Sequence, residues 1–399
     1  MTSYITPNEL RIGIDVGSLN HAVAISDDKG NILKEFEITH TNKGFESFFK
    51  IIEKVAQDNH ASLSIAMEGY NGWARPLDEL IQARGYRLFN VNNIKLARYK
   101  EIFPGAAKTD QIDARKIVEL FSLQQHLPVS KKVLQEIKSF DDTNTKLKRL
   151  TRRRKQLVQE KIALINRFST ELQGVAPDLK MITNAVDNLW FLRFFTLKED
   201  MRDLVRLRAK SILKIKHLGP MRITLIEAWQ KDASFSPEVE YTASMFYDDA
   251  MRLLMLKEKL KQLEDAIAKL IPSSQIAKVI ETIPGFATIT AGELAGEIGT
   301  LDRFKSEASL ALYLGMTNLD NSSGKYRGSK RSISTNRHAK MAMITATMKH
   351  TQHVEESKKY LEKKISEGKK YQQAIRSIGR HLVRVIWNMI QQDRAYVIK

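Results

Sequence analysis

The chain contains no cysteine among its 399 residues, which excludes disulfides and thiolate metal sites alike. Nowhere does it approach the roughly 18 consecutive apolar residues that a membrane-spanning helix needs. Its opening, Met1-Thr2-Ser3-Tyr4-Ile5-Thr6-Pro7, has no cationic start followed by an apolar core, so it does not read as a secretion signal. A soluble cytoplasmic protein of two or three domains is the expectation. Acidic residues are missing altogether between Asn321 and Val354, although seven Lys and Arg fall there.

That gap belongs to a wider imbalance. Lys and Arg number 64 against 46 Asp and Glu, a formal net charge of +18, which suits a polyanionic partner better than a small neutral substrate. The cations cluster. Lys325, Arg327, Lys330, Arg331, Arg337 and Lys340 occupy the acid-free stretch, and Lys146, Lys148, Arg149, Arg152, Arg153, Arg154 and Lys155 form a second run of helical composition. With Lys108 and Arg115, the members Arg152, Arg153, Lys325, Arg327, Lys330, Arg331, Arg337 and Lys340 are candidates for nucleic-acid backbone contacts. For the run on residues 146–155, a solvated helix face explains the charge equally well.

Four acids in the first third stand where a metal-dependent phosphoryl-transfer site needs them. Asp15 ends the apolar run Arg11-Ile12-Gly13-Ile14, Glu68 ends Ser64-Ile65-Ala66-Met67, and Asp110 and Asp113 share one helix face. Magnesium takes hard oxygen ligands, and a pair of ions about 4 Å apart can clamp both oxygens of an in-line displacement at phosphorus. One such acid alone is more often a turn or a helix-end residue. The ordered set of four points to Mg2+, two ions, held by Asp15, Glu68, Asp110 and Asp113.

Periodicity divides the chain into three parts. Residues 1–128 alternate strands and helices: three strands over 11–16, 22–26 and 32–38, a helix over 43–58 with Phe45, Phe48, Phe49 and Ile52 on one side, then strand, helix and strand to residue 91. Three antiparallel strands followed by strand–helix units with acids at strand ends is the ribonuclease-H-like plan, and Thr109 is placed to cap the helix of Asp110 and Asp113. Residues 129–275 read as long helices. Within them Leu253, Leu256, Leu260, Leu263, Ile267 and Leu270 form a heptad seam, open to pairing within the chain or between copies. Residues 276–399 begin with Ile283-Pro284-Gly285-Phe286, similar to a helix-hairpin-helix element whose Gly285 turn can offer N–H groups to phosphate or simply join two packed helices. They end in helices over 341–353 and 372–392. The fold class is thus α/β followed by all-α.

Ser322-Ser323-Gly324 reads alone as a turn, and a seryl hydroxyl is a poor nucleophile until something activates it. The cationic loop beyond it can hold a phosphate beside that hydroxyl. Tyr326 is a rival nucleophile. His350 and His353 have ligand-like spacing without an evident third ligand, and read as facing solvent or phosphate.

Ile14-Asp15-Val16, Met67-Glu68-Gly69, Lys108-Thr109-Asp110-Gln111-Ile112-Asp113-Ala114, Ile283-Pro284-Gly285, Tyr313-Leu314-Gly315 and Ser322-Ser323-Gly324 together resemble the DEDD transposases of bridge-RNA-guided insertion sequences, relatives of the Piv-type DNA invertases. The resemblance covers residues 11–120 and 276–350 and leaves the helical middle unmatched. It implies a RuvC-like domain in which the four acids ligate magnesium, and Ser323, directly before Gly324, attacks DNA to leave a transient 5′-phosphoserine. It further implies donor and target DNA, a guide (bridge) noncoding RNA, and a homo-oligomer, a dimer assembling to a tetramer, in which the acids of one subunit serve the serine loop of another. A nucleoid-associated place in the cell follows from those partners.

Two positions depart from that pattern. Thr335-Asn336-Arg337-His338-Ala339-Lys340 stands where the family often has Gly-Asn-x-x-Leu-Arg, and Asn92-Asn93 where it often has Asn-Pro. Two other activities use part of the same vocabulary. A RuvC-like junction nuclease would need the acids but not the serine. A sugar-kinase or actin-like ATPase would use Ile12-Gly13-Ile14-Asp15-Val16-Gly17-Ser18 on phosphate, but no second glycine-rich adenosine segment appears.

Overall fold

The computed structural model describes residues 8–70, 72–102, 109–126, 133–138, 141–216, 218–330, 332–333 and 335–397. They fall into two compact units, within 1–139 and within 140–399. No helix among the described residues is long and apolar enough to cross a membrane.

The first unit is a six-stranded mixed sheet with helices on both faces. Strands β1 (Glu9–Val16), β2 (Asn20–Ser26) and β3 (Ile32–Thr39) form an antiparallel meander, and α1 (Asn42–Asp58) leads to β4 (Ser62–Met67), parallel to β1. After α2 (Arg75–Ala83), β5 (Arg87–Val91) extends the parallel part; α3 (Asn93–Ile102) and α4 (Asp110–His126) follow, and β6 (Leu134–Glu136) closes the edge. The order is β3-β2-β1-β4-β5-β6.

Alternation along β1 sorts its side chains onto two faces. Ile12 and Ile14 join Val23, Ile25, Ile65 and Met67 in a core roofed by Phe45, Phe48, Phe49 and Ile52 of α1, at the i, i+3, i+4, i+7 spacing of an amphipathic helix. Thr41 caps α1, its hydroxyl accepting from Gly44 N at 3.1 Å. On the other face the sheet is small-sided. Ala22 and Ala24 pack on Ala114 and Val118 of α4. Gly13 completes this shallow channel, since a methyl there would stand 2.9 Å from Val118 Cγ2 and overlap the Ala114 carbonyl oxygen.

Among its described residues the second unit is helical apart from one hairpin. Its spine is the antiparallel pair α5 (Asp142–Val175) and α10 (Val239–Leu270); α6 (Pro177–Met181), α7 (Leu189–Phe195), α8 (Ala209–Ile212) and α9 (Pro220–Asp232) lie between them in sequence. Then come α11 (Gln275–Glu281), α12 (Thr288–Ile298), α13 (Glu307–Tyr313), the hairpin β7 (Leu319–Ser323) and β8 (Tyr326–Lys330), and α14 (Arg337–His353), α15 (Glu355–Ser366) and α16 (Tyr371–Gln392).

Two hydrophobic cores share that spine. One joins Leu157, Leu164, Phe168 and Leu172 of α5 and Leu253, Leu256 and Leu260 of α10 to Phe191, Phe194 and Phe195 of α7. The other joins Leu147 of α5 and Ile267 of α10 to α11, α12, α13, α14 and α16. The heptad seam is therefore filled from within the chain, by α5. Close approach of α12 to α5 depends on Gly296, where a methyl would lie 2.7 Å from Lys148 Cα.

One expectation is overturned here. His350 does not face solvent or phosphate; it is buried, its Nδ1 2.7 Å from the Pro284 carbonyl oxygen and its ring against Phe286 and Tyr396. The cause is the Pro284–Gly285 turn, which lies on the α14 backbone: a methyl at Gly285, whose φ is +86°, would stand 2.7 Å from the Lys349 carbonyl carbon. That turn is spent on packing two helices. His353, three residues on, is exposed.

Candidate active site

Asp15 lies near the carboxyl end of β1, on the face that α4 covers, in register with Ala22 of β2. Glu68 follows β4 directly, its backbone N–H reaching the Ile14 carbonyl at 3.4 Å, so the two acids leave adjacent parallel strands at the same end of the sheet. That end is where open α/β sheets present their ligands. Asp110 and Asp113 occupy the first turn of α4, where the helix dipole favours negative charge. Thr109 caps the turn as expected, its hydroxyl accepting from Ile112 N at 3.3 Å.

Three contacts set α4 on the sheet: the Gly13 channel, Gln111 Nε2 donating to the Val23 carbonyl at 2.9 Å, and the ion pair of Arg115 with Glu35 of β3. Arg115, a candidate for phosphate contact, is thus already engaged within the fold.

Asp15 feels the other three acids. The Asp15 carboxyl is pushed up to about 6, first by burial, then by Asp113, with Asp110 and Glu68 adding to the push and Lys100 opposing it. Lys100, in the last turn of α3, sets its ammonium 2.7 Å from Asp113 Oδ2. Sequence reasoning missed this lysine, because one Lys on an undistinguished helix carries no signal. Asn92, where the family often continues with proline, accepts from Lys95 N at 3.1 Å and starts α3 as an ordinary cap.

In kind, the donor set suits a hard divalent cation: carboxylate oxygens only, crowded enough to raise one member's proton affinity. In position it is looser. Among the described residues no three His, Asp or Glu groups stand close enough together to hold an ion, and the Lys100 ammonium is the cation present.

The serines lie in the second unit, on the β7–β8 hairpin. Gly324, with φ +57°, is the first of two turn residues, the place where a tight hairpin needs a positive φ. Ser323 pairs with Tyr326 and Ser322 with Arg327, so the two hydroxyls point to opposite faces, and both strands are exposed apart from half-buried Gly328. Lys325 is at the tip; Arg327 and Lys330 are on β8. Where the hairpin returns, Thr335 Oγ1 donates to the Leu312 carbonyl at 3.0 Å, so the residue standing in for the family's glycine holds the root. Asn336 caps α14, accepting from His338 N and Ala339 N, and donates to Glu297 Oε2 at 2.7 Å. Arg337 is exposed on the first turn of α14, whereas Lys340 lies over Gly315.

The α5 cations are mostly spoken for. Arg152 grips buried Glu297 with Nε at 2.6 Å and Nη2 at 2.9 Å, which holds that carboxyl below the usual range against the opposing effect of burial. Arg154 reaches Glu264 at 2.7 Å, while Arg153 is exposed and donates to Gln156 Oε1 at 3.4 Å. Lys108 and Arg331, two further candidates, lie outside the described residues.

Comparison with known proteins agrees with this layout. A model of the DEDD domain of IS110-type elements, described as a transposase, matches residues 12–177. A second, described as the transposase IS116/IS110/IS902 family, matches residues 277–362. The 44.8 kDa protein of insertion element IS116 from Streptomyces clavuligerus is 23% identical over 393 residues, 96% of this chain and 95% of that one. The 42 kDa protein of IS900 from Mycobacterium paratuberculosis is also 23% identical, covering 96% of both chains. The first match takes in all four acids, and the second the serine hairpin. This is a transposase, an enzyme of DNA recombination, whose DEDD domain is of a type that uses divalent metal. It belongs to the IS116/IS110/IS902 family of insertion-sequence transposases.

Proposed function

We propose that this transposase cuts and joins DNA under the direction of a guide RNA, with Asp15, Glu68, Asp110 and Asp113 as the metal-binding acids of a RuvC-like domain and Ser323 as the nucleophile. The observation that carries the reading is the placement of Asp15 and Glu68 at the same end of adjacent parallel strands, with Asp110 and Asp113 in the first turn of α4 near enough that all three other acids push the Asp15 carboxyl up. Two Mg2+ ions would neutralise that crowding and polarise the phosphoryl oxygens. The acids hold the oxygen-ligand positions, and α4 fixes Asp110 and Asp113 relative to Asp15.

At the hairpin, the Ser323 oxygen forms a bond to phosphorus and the bond from phosphorus to the 3′ oxygen breaks. The seryl proton is lost and the 3′ oxygen gains one, leaving a free 3′ hydroxyl and a 5′-phosphoserine. Reversal by another 3′ hydroxyl rejoins the strand and frees the enzyme. Lys325, at the hairpin tip next to Ser323, supplies a cation beside that phosphate, and Arg327, on the opposite face with Ser322, holds the neighbouring backbone. Base pairing by the RNA selects donor and target sequence, while protein cations hold backbones without reading bases. A homo-oligomer, a dimer that assembles to a tetramer, lets the acids of one copy serve the serine of another.

The deciding experiment supplies Mg2+, guide RNA and labelled donor DNA and looks for a covalent adduct on a denaturing gel. The adduct should vanish in Ser323→Ala and persist in Ser322→Ala. Cleavage with free ends that ignores Ser323→Ala would instead mark a RuvC-like junction nuclease using water.

A further inference from the structure

The hairpin root borders a cleft of about 450 Å3 lined from α15, α16 and their connection by Tyr360, Lys369, Arg376, Ser377, Arg380 and His381, and on the hairpin side by Asn318. Among the described residues no carboxylate lines it. Arg380 is held from behind by Glu307, Nη2 to Oε1 at 2.9 Å. Lys369 makes no ion pair among the described residues; its ammonium donates to Ser377 Oγ at 3.5 Å. The half-buried Arg376 makes no ion pair or side-chain hydrogen bond among the described residues. Behind them, residues 358–384 carry nine Lys and Arg against two Glu, a third basic concentration beside the two evident in the sequence. Tyr360 and His381 form one wall, hydroxyl to Nε2 3.3 Å and rings edge-on at 5.4 Å.

We propose that this cleft grips a nucleic-acid strand by its phosphodiester backbone, next to the strand segment that the hairpin meets. The inference rests on the reading of the hairpin as a nucleic-acid contact and adds a second grip to it. A concave site with an unengaged guanidinium, a lysine and no carboxylate offers charge-assisted donors to phosphate oxygens, and the tyrosine–histidine wall can stack a base. Five β7 residues separate the cleft from the turn at Gly324, about 17 Å at 3.4 Å per residue. At 3.4 Å per nucleotide along one duplex strand, the gripped phosphate lies about five nucleotides from the one at Ser323.

The test is binding, separate from strand cleavage. Fluorescence anisotropy of the full chain with a 5′-labelled DNA duplex of about 20 base pairs, and with an RNA strand of the same length, over roughly 50 to 200 mM NaCl, gives the slope of log K against log salt. With Lys369→Ala and Arg376→Ala combined, the slope should flatten by about 1.8 on duplex DNA or about 1.4 on the single strand. The single Lys369→Ala should give half that change, and Arg376→Lys should retain the wild-type slope. Lys231→Ala, an exposed cation on α9, should leave it untouched. Flattening with DNA alone assigns the cleft to a DNA strand, and with RNA alone to the guide. An unchanged slope on both, in a variant that melts like the wild type, overturns the cleft and leaves the proposed chemistry standing. A wild-type chain that binds neither probe overturns both.

Discussion

The fold half-buries Asp15 and surrounds it with groups that pull its charge in opposite directions, three carboxylates favouring the proton and Lys100 opposing them. Its proton affinity is raised because water is thinned around it and three more carboxylates look on. An acid whose pKa is higher folded than unfolded stabilises the fold at low pH and loses that contribution as pH rises, here between about 4 and about 6. Asp15→Asn should therefore stabilise the fold above pH 6 by on the order of 1 to 2 kcal/mol, after allowance for partial exposure, raising the melting temperature there and leaving it unchanged below pH 4. A difference independent of pH would show that Asp15 is not under electrostatic strain. The four acids were legible because each sits at a local landmark, a strand end or a helix start. Lys100 was not, since its role exists only once α3 is laid beside α4. Nor was the engagement of Arg115 and Arg152, whose partners Glu35 and Glu297 lie 80 and 145 residues away.

Among elements, α4 shows how close backbone packing positions side chains. Two of the four acids ride on it, and its distance from the sheet is set by a strip of hydrogen atoms and methyl groups at Gly13, Ala22, Ala24 and Ala114. Gly13→Ala forces α4 outward, at a cost of about 1 to 3 kcal/mol typical of overpacking, and carries Asp110 and Asp113 with it. Divalent metal affinity, read by calorimetry, should fall while the chain still folds; unchanged affinity would mean α4 need not sit so close. The first five strands and α1 were readable because apolar residues alternate or recur at helical spacing. By contrast, β6 is only three residues long and α3 has almost no apolar side. The β7–β8 hairpin has no buried side to print a pattern, so only its Ser-Gly turn could be recognised.

At the scale of the whole molecule, charge is the dominant fact. With a net charge of +18 the chain should bind duplex DNA with a strong salt dependence and little regard for sequence. Arg327→Ala should weaken that binding equally on unrelated duplexes and flatten the log-salt slope by about 0.9. A loss confined to one sequence would make Arg327 a reader of bases.

The α5–α10 pair has a consequence of a different sort. Each helix belongs to two cores at once, and α5, with 34 residues, is about 50 Å long at 1.5 Å per residue. One residue inserted midway would swing everything beyond it by roughly 100°, turning the apolar stripe of the distal part toward water. Evolution can thus adjust this ruler only by matched heptad steps in both helices, and the segments joining α6 to α9 are held to it by Ile182, Val186, Met201, Leu204 and Ile215, which are buried in the same core.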